Sequence, residues 1–179
     1  MTSSLHLPHD WYPAPLPANV RLGEGSWLYS AFAFAHFRSR RPDAVKVGRS
    51  SGIYHGCFFE LDLAGEVEIG DFSTLVGVII CTSGRVRIGS YCFLAHEVVI
   101  ADTFAARPGS GGLLEEAPFD SVILGDDVWV GAGAVLLKGA SIGDGAVIGA
   151  ATVVDGRVPA GATVVGNPAS MVSRVSDRS

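Results

Sequence analysis

Charge is scarce in this chain of 179 residues. Asp, Glu, Lys and Arg make up 17% of it, below the usual quarter or so. Lys and Arg number 13 against 18 Asp and Glu, a net charge of −5. With no basic run there is no electrostatic footprint for a phosphate backbone, which excludes nucleic acid as a partner. Long apolar runs are missing too. No window reaches the 18 or so apolar residues of a membrane span, so no membrane partner is expected. Met1 to Pro17 has neither the basic nor the apolar region of an export signal. Cysteines number only three, an odd count that reads as reduced thiols in a cytoplasmic protein. Disorder is excluded by a mean hydropathy of +0.36 together with the low charge. Glycine is what abounds, with 23 residues. That is close to twice the average usage and argues against a helical bundle, whose interiors glycine weakens.

A repeat organises the chain. From Leu124 an aliphatic or small residue recurs every six positions: Leu124, Val130, Leu136, Ile142, Ile148, Val154, Ala160. Glycine often follows this lead residue, as at Gly125, Gly131, Gly143, Gly149 and Gly161. Four residues after each lead stands a second small or β-branched residue: Val128, Ala134, Ala140, Ala146, Thr152, Val158, Val164. A period of six fits neither a 3.6-residue helix nor a two-sided strand. It fits a solenoid in which each hexad supplies one short strand and one turn, so that three hexads close a triangular coil. Both repeating positions point inward, and glycine after the lead suits a tight corner where backbone angles are unusual and space is short.

The same register runs upstream through interruptions. Leu22, Leu28 and Phe34 start one coil, Val47, Ile53 and Phe59 the next, then Ile69, Leu75 and Cys81, then Ile88, Leu94 and Ile100. The expectation is an all-β, single-stranded parallel β-helix of about six triangular coils. A Pro-rich extended arm occupies residues 1–21, the β-helix 22–171 with an excursion loop at 102–122, and a short tail 172–179. This register turns Cys57, Cys81 and Cys92 inward as inert core residues. Ser26 to Phe37 is aromatic and strand-like, suited to a first coil or to capping an open edge.

The segments Ile123 to Ala134 and Lys138 to Ala150, followed by Val158-Pro159 and Val165-Gly166-Asn167-Pro168-Ala169, resemble the left-handed β-helix acyltransferases, the hexapeptide-repeat family. Trp129-Val130-Gly131-Ala132-Gly133 with the Gly-Asn-Pro-Ala ending is similar to its maltose and galactoside acetyltransferase branch. The resemblance implies a homotrimer with an acyl-CoA, such as acetyl-CoA, lying between two neighbouring β-helices, and no metal. Carried over residue by residue, the CoA wall consists of Trp129, Gly131, Ala132, Gly133, Ala150, Ala151, Gly166, Asn167 and Pro168. Arg174 is placed to meet the nucleotide phosphates.

The resemblance also implies a loop histidine before a proline as general base. Here Arg107 precedes Pro108, and no histidine lies between Phe104 and Asp120. The base is therefore sought among His6, His9, His36, His55 and His96. His6 and His9 belong to the arm, where solvation is the default. His96 stands two residues after Leu94 on an outward position, one strand before the loop. His55 stands two after Ile53, and Gly77 holds the same place in the coil between, leaving a notch. Histidine titrates near neutrality and suits general-base work. Asp102 or Glu97 is expected to orient the His96 ring.

Three readings follow. The first is an acyl-CoA-dependent acyltransferase, an O- or N-acetyltransferase acting on a small, sugar-like acceptor by direct attack with a general base. The second is a non-catalytic β-helix for binding or assembly. The third is a zinc enzyme like the γ-class carbonic anhydrase. Two coils separate His55 from His96 by about 10 Å, too far within a chain for one zinc, whose nitrogens lie at about 2 Å from the metal; a site across a trimer interface stays open.

Overall fold

The computed structural model describes residues 5–102 and 121–172. The chain winds as a left-handed parallel β-helix. Strands β1 (Val20–Leu22) and β2 (Trp27–Leu28) open the first coil. The second holds β3 (Val45–Val47), β4 (Gly52–Ile53) and β5 (Phe58–Leu61). The third holds β6 (Glu66–Ile69), β7 (Thr74–Leu75) and β8 (Ile79–Thr82). The fourth holds β9 (Arg85–Ile88), β10 (Phe93–Leu94) and β11 (Val99–Ala101). After the excursion come β12 (Val122–Leu124), β13 (Trp129–Val130) and β14 (Val135–Leu137), then β15 (Ser141–Ile142), β16 (Val147–Ile148) and β17 (Val153–Val154). The last coil has β18 (Arg157–Val158), β19 (Thr163–Val165) and a returning β20 (Ser170–Met171).

These strands stack into three sheets. The first runs β1-β3-β6-β9-β12-β15-β18, the second β2-β4-β7-β10-β13-β16-β19-β20, the third β5-β8-β11-β14-β17. All described pairings are parallel except β19 with β20. Leads stack on leads: Leu28, Ile53, Leu75, Leu94, Val130, Ile148 and Val164 form one column inside the second sheet. From Ile53 to Val164 that column is almost fully buried. It forms a continuous apolar spine, with the backbone satisfied between coils.

The register slips twice, and each slip has a local cause. In the third coil the corner after Leu75 is one residue shorter than in its neighbours. Ile80, not Cys81, therefore pairs with Phe59 and Ile100 and is the inward lead. A one-residue shift turns a strand's side chains over, so Cys81 faces outward, half-buried, while Cys57 and Cys92 are buried as expected. Near the end, the turn between Val154 and Arg157 is short. Val158 takes the lead position over Ile142, and Ala160 is an exposed corner residue.

Glycine after the lead serves space rather than backbone angle. A Cβ on Gly48 would lie 2.5 Å from the Gly70 carbonyl carbon, and one on Gly89 2.5 Å from that of Gly125. Each coil presses on the next through these glycines. The left-handed conformation falls two residues later, at Ser50, Phe72, Tyr91 and Asp127.

Coil one differs on its third side. A 3-10 helix, Ala31–Phe34, replaces a strand there. Asp10 from the arm explains it: its carboxylate accepts from the Ser30 hydroxyl at 2.7 Å and from the Ala31 N–H at 2.6 Å, and Ser30 in turn accepts from the Phe32 N–H. The helix packs Phe34 flat on Phe59, ring centroids 4.8 Å apart. The arm is docked rather than solvated. Leu16 is buried, and His9 stacks on Trp27 at 4.2 Å while its Nε2 meets the Leu28 carbonyl at 2.9 Å. No helix among the described residues is long and apolar enough to cross a membrane.

Candidate active site along one edge of the prism

One corner of the triangular prism gathers most of the candidate residues. It is the edge where the second sheet turns into the third. Its backbone ladder runs coil by coil. The His55 carbonyl accepts from the Gly77 N–H at 3.0 Å, and the Gly77 carbonyl from the Glu97 N–H at 3.0 Å. The His96 carbonyl accepts from the Gly133 N–H at 2.9 Å, and the Ala132 carbonyl from the Ala151 N–H at 2.9 Å. The Gly166 carbonyl then accepts from the Val153 N–H at 3.0 Å. With coils about 4.8 Å apart, His96 sits about 5, 10 and 14 Å below the corners of the three following coils.

The predicted CoA wall falls on this edge. Ala132, Ala150 and Ala151 are exposed corner residues, and Gly166, Asn167 and Pro168 continue the row at the top. Gly133 adopts φ +67° with nothing near its Cβ position; Ala151 takes the equivalent left-handed place one coil on, at φ +54°. Gly131 is buried and leaves space instead, since a Cβ there would meet Ala150 N at 2.6 Å. The amide N–H groups of His96, Ala132 and Ala150 have no backbone acceptor among the described residues. Trp129 stands off the corner, exposed on the outer face of the second sheet between Phe93 and Val147. Arg174 and the loop 103–120 lie outside the described residues.

His96 is exposed, and so is Glu97, which holds φ +61° in the same turn. Gly77 forms the expected notch: a Cβ built on it would stand 3.5 Å from His96 Cα and 3.6 Å from its Cδ2. His55 is exposed on the far side, its ring edge-on to Tyr29 at 5.2 Å.

Asp102 does not join them. It closes β11 at the opposite corner, where the third sheet turns toward the first. Its buried carboxylate accepts from the Thr82 hydroxyl, the Ser83 N–H at 3.0 Å and the Gly84 N–H at 3.0 Å. It ties down a turn and does not orient the His96 ring of its own chain. Asp102→Ala is expected to cost about 1–3 kcal/mol of stability, because three donors lose their acceptor. A drop in the urea midpoint at unchanged slope checks this.

Sequence reasoning missed a neighbouring cavity of about 400 Å³ at the same edge, below Gly77. Trp11, Tyr29, Phe32, Tyr54, His55 and Phe58 line it, with no Lys, Arg, Asp or Glu among its lining residues. Its signal in the sequence is the aromatic density of Trp27 to Phe37, but only the docked arm brings Trp11 to it. Elsewhere, outward Cys81 lies 3.5 Å from Glu60, whose other oxygen meets His36 Nδ1 at 3.1 Å. Burial, and then this carboxylate, push the Cys81 thiol up to about 11, so it is a poor nucleophile. The hydrogen bond from His36 holds the Glu60 carboxyl below its usual range. Among the described residues no group of three His, Cys, Asp or Glu side chains is arranged to hold a metal ion.

The family model for the bacterial transferase hexapeptide, six repeats, matches residues 121–156. That stretch of the chain carries the hexapeptide repeat. Among sequence relatives, the 2,3,4,5-tetrahydropyridine-2,6-dicarboxylate N-acetyltransferase of Staphylococcus aureus (strain JH9) is 42% identical over 66 residues, 37% of this chain and 28% of that protein. The chain thus spans under a third of the curated relatives it matches. Three solved structures share the hexapeptide-repeat fold. AntD, an N-acyltransferase from Bacillus cereus in complex with dTDP and 3-hydroxybutyryl-CoA, superposes with a TM-score of 0.62 at 18% identity, covering 86% of this chain and 81% of its own. A hexapeptide-repeat acetyltransferase of Vibrio cholerae complexed with acetyl-CoA gives 0.55 at 18%, covering 88% and 72%. A mutant perosamine N-acetyltransferase from Caulobacter crescentus, with CoA and GDP-perosamine, gives 0.53 at 16%, covering 95% and 58%.

Proposed function

We propose that this hexapeptide-repeat protein transfers an acyl group from acyl-CoA to an amino or hydroxyl group of a small, sugar-like acceptor. The observation that carries this reading is the single edge on which an exposed histidine lies directly below a row of small corner residues with free amide donors. A pantetheine arm needs a narrow, side-chain-free track and backbone partners for its amides, and Ala132, Gly133, Ala150 and Ala151 supply one. Gly166, Asn167 and Pro168 continue the track toward the nucleotide end, flanked by Trp129. An amino acceptor is favoured, because three of the four proteins named above are N-acyl- or N-acetyltransferases. As in the resemblance, we place the CoA between two copies of a homotrimer. The free thiols suit a reducing, cytoplasmic setting.

In this mechanism the acceptor nitrogen or oxygen attacks the thioester carbonyl carbon while a ring nitrogen of His96 takes its proton. The carbonyl oxygen becomes an oxyanion, met by an edge amide such as that of Ala132. Collapse of the tetrahedral intermediate breaks the C–S bond, and the imidazolium returns the proton to the CoA sulfur. Glu97, in the same turn, is assigned to hold the acceptor or the charged ring. No enzyme thiol takes part.

Thermal unfolding with acetyl-CoA tests the reading. Ligand at about a hundredfold over its Kd adds about 2.7 kcal/mol, a rise in Tm of roughly 5–10 °C for a chain of this size. No rise at millimolar CoA overturns it. A rise without transfer to any amine or sugar acceptor favours a binding protein that kept the groove.

A further inference from the structure

The cavity beneath Gly77 lies on the same edge as the proposed CoA track and continues its line. Gly166 to Pro168, Ala150-Ala151, Ala132-Gly133 and His96-Glu97 occupy successive corners downward. Gly77 is next, and the His55-Gly56 corner beneath it forms one wall of the cavity. The backbone keeps the spacing tight, for a Cβ on Gly56 would lie 3.3 Å from Gly77 Cα. Between His96 and the cavity the corner is a residue short and carries no side chain at Gly77. From the structure we infer that this cavity receives the acyl chain of the donor, so that the preferred thioester is a medium-chain acyl-CoA rather than acetyl-CoA. This rests on the proposed function above.

Thioester geometry supports the assignment. With the sulfur on the upper side of the carbonyl carbon, at the level of His96, the acyl substituent must leave on the lower side. An attacking nucleophile approaches out of the plane of the carbonyl, from the flank of the edge. The cavity, whose His55-Gly56 wall lies two coils or about 10 Å below His96, is therefore assigned to the far end of the acyl chain and not to the acceptor. Its chemistry agrees. The lining is mainly aromatic and apolar, with no Lys, Arg, Asp or Glu and with His55 as its one basic side chain. Asp10, the nearest carboxylate of the arm, is already taken up by Ser30, Ala31 and Tyr12. An acetyl group fills little of 400 Å³, a space of about a dozen water-sized groups. The edge-to-face rings of Phe32 and Phe58, 5.5 Å apart, offer an apolar wall.

Calorimetric titration of the full chain with CoA, acetyl-CoA, hexanoyl-CoA and octanoyl-CoA tests the inference. Affinity should rise by roughly two- to fourfold for each methylene buried; octanoyl has six more than acetyl, so even about twofold apiece makes octanoyl-CoA roughly 60-fold tighter than acetyl-CoA. Gly77→Leu, which puts a side chain into the gap, should abolish that gain and leave the affinity for unacylated CoA within about twofold. Because Gly77 holds φ +63°, this variant is checked for folding. Trp11→Ala, at an exposed side chain of the docked arm, is the second probe and should shrink the gain severalfold. If CoA binds but the four affinities are flat, or if neither variant alters the chain-length dependence, the inference fails and the cavity goes to the acceptor instead. If CoA itself does not bind, the proposed function fails with it.

Discussion

His96→Ala is expected to lower kcat/KM by about 10²–10⁴-fold, the usual contribution of a positioned general base, with CoA affinity unchanged. In the proposed mechanism His96 is the histidine at the level of the thioester. His55 lies two coils lower, about 10 Å away, against the aromatic cavity. His36 is tied to Glu60 on the outer side of the third sheet, and His9 is stacked on Trp27. The measurement is steady-state transfer paired with calorimetry for CoA. Loss of turnover with retained binding is the signature of an interaction made in the transition state. Turnover within threefold of the parent would remove His96 from the mechanism. Glu97→Gln should act mainly on KM for the acceptor if that side chain holds it.

Leu94→Ala should destabilise the chain by about 2–5 kcal/mol, at the upper end of that range. Leu94 is fully buried and sits in the central coil between Leu75 and Val130. The loss combines burial of fewer methyl groups with a cavity that the surroundings cannot close. Neighbouring coils are locked at strand spacing by hydrogen bonds above and below, and glycines such as Gly89 already press against the next backbone. A urea midpoint shift with unchanged slope checks the size. A loss under 1 kcal/mol would mean that the prism relaxes far more readily than its ladders imply.

Much of this architecture was legible before any coordinates. Leu124, Val130, Leu136, Ile142 and Ile148 keep one spacing because each coil repeats one geometry. The register failed at Cys81 and Ala160, where corners of unequal length reset the phase. A period read along the sequence cannot distinguish a short corner from a change of residue type. The notch at Gly77 was legible from spacing alone, as was the shared edge of His55 and His96. The partnership of Asp102 with His96 was not. The two are six residues apart, yet one strand of the prism carries them to different corners.

Fold class and the inward columns came from the sequence by itself, because a solenoid couples only neighbouring coils and so writes its geometry as a short-range repeat; the row of small residues along one edge was implied by the resemblance. The tertiary structure decided what the arm does, which carboxylates are free and where the aromatic cavity lies. Each of those depends on contacts between segments with no common period: Trp11 against Phe32, Asp10 against Ala31, Asp102 against Thr82. Non-repeating contacts leave no spacing to read, and only the folded chain brings them together.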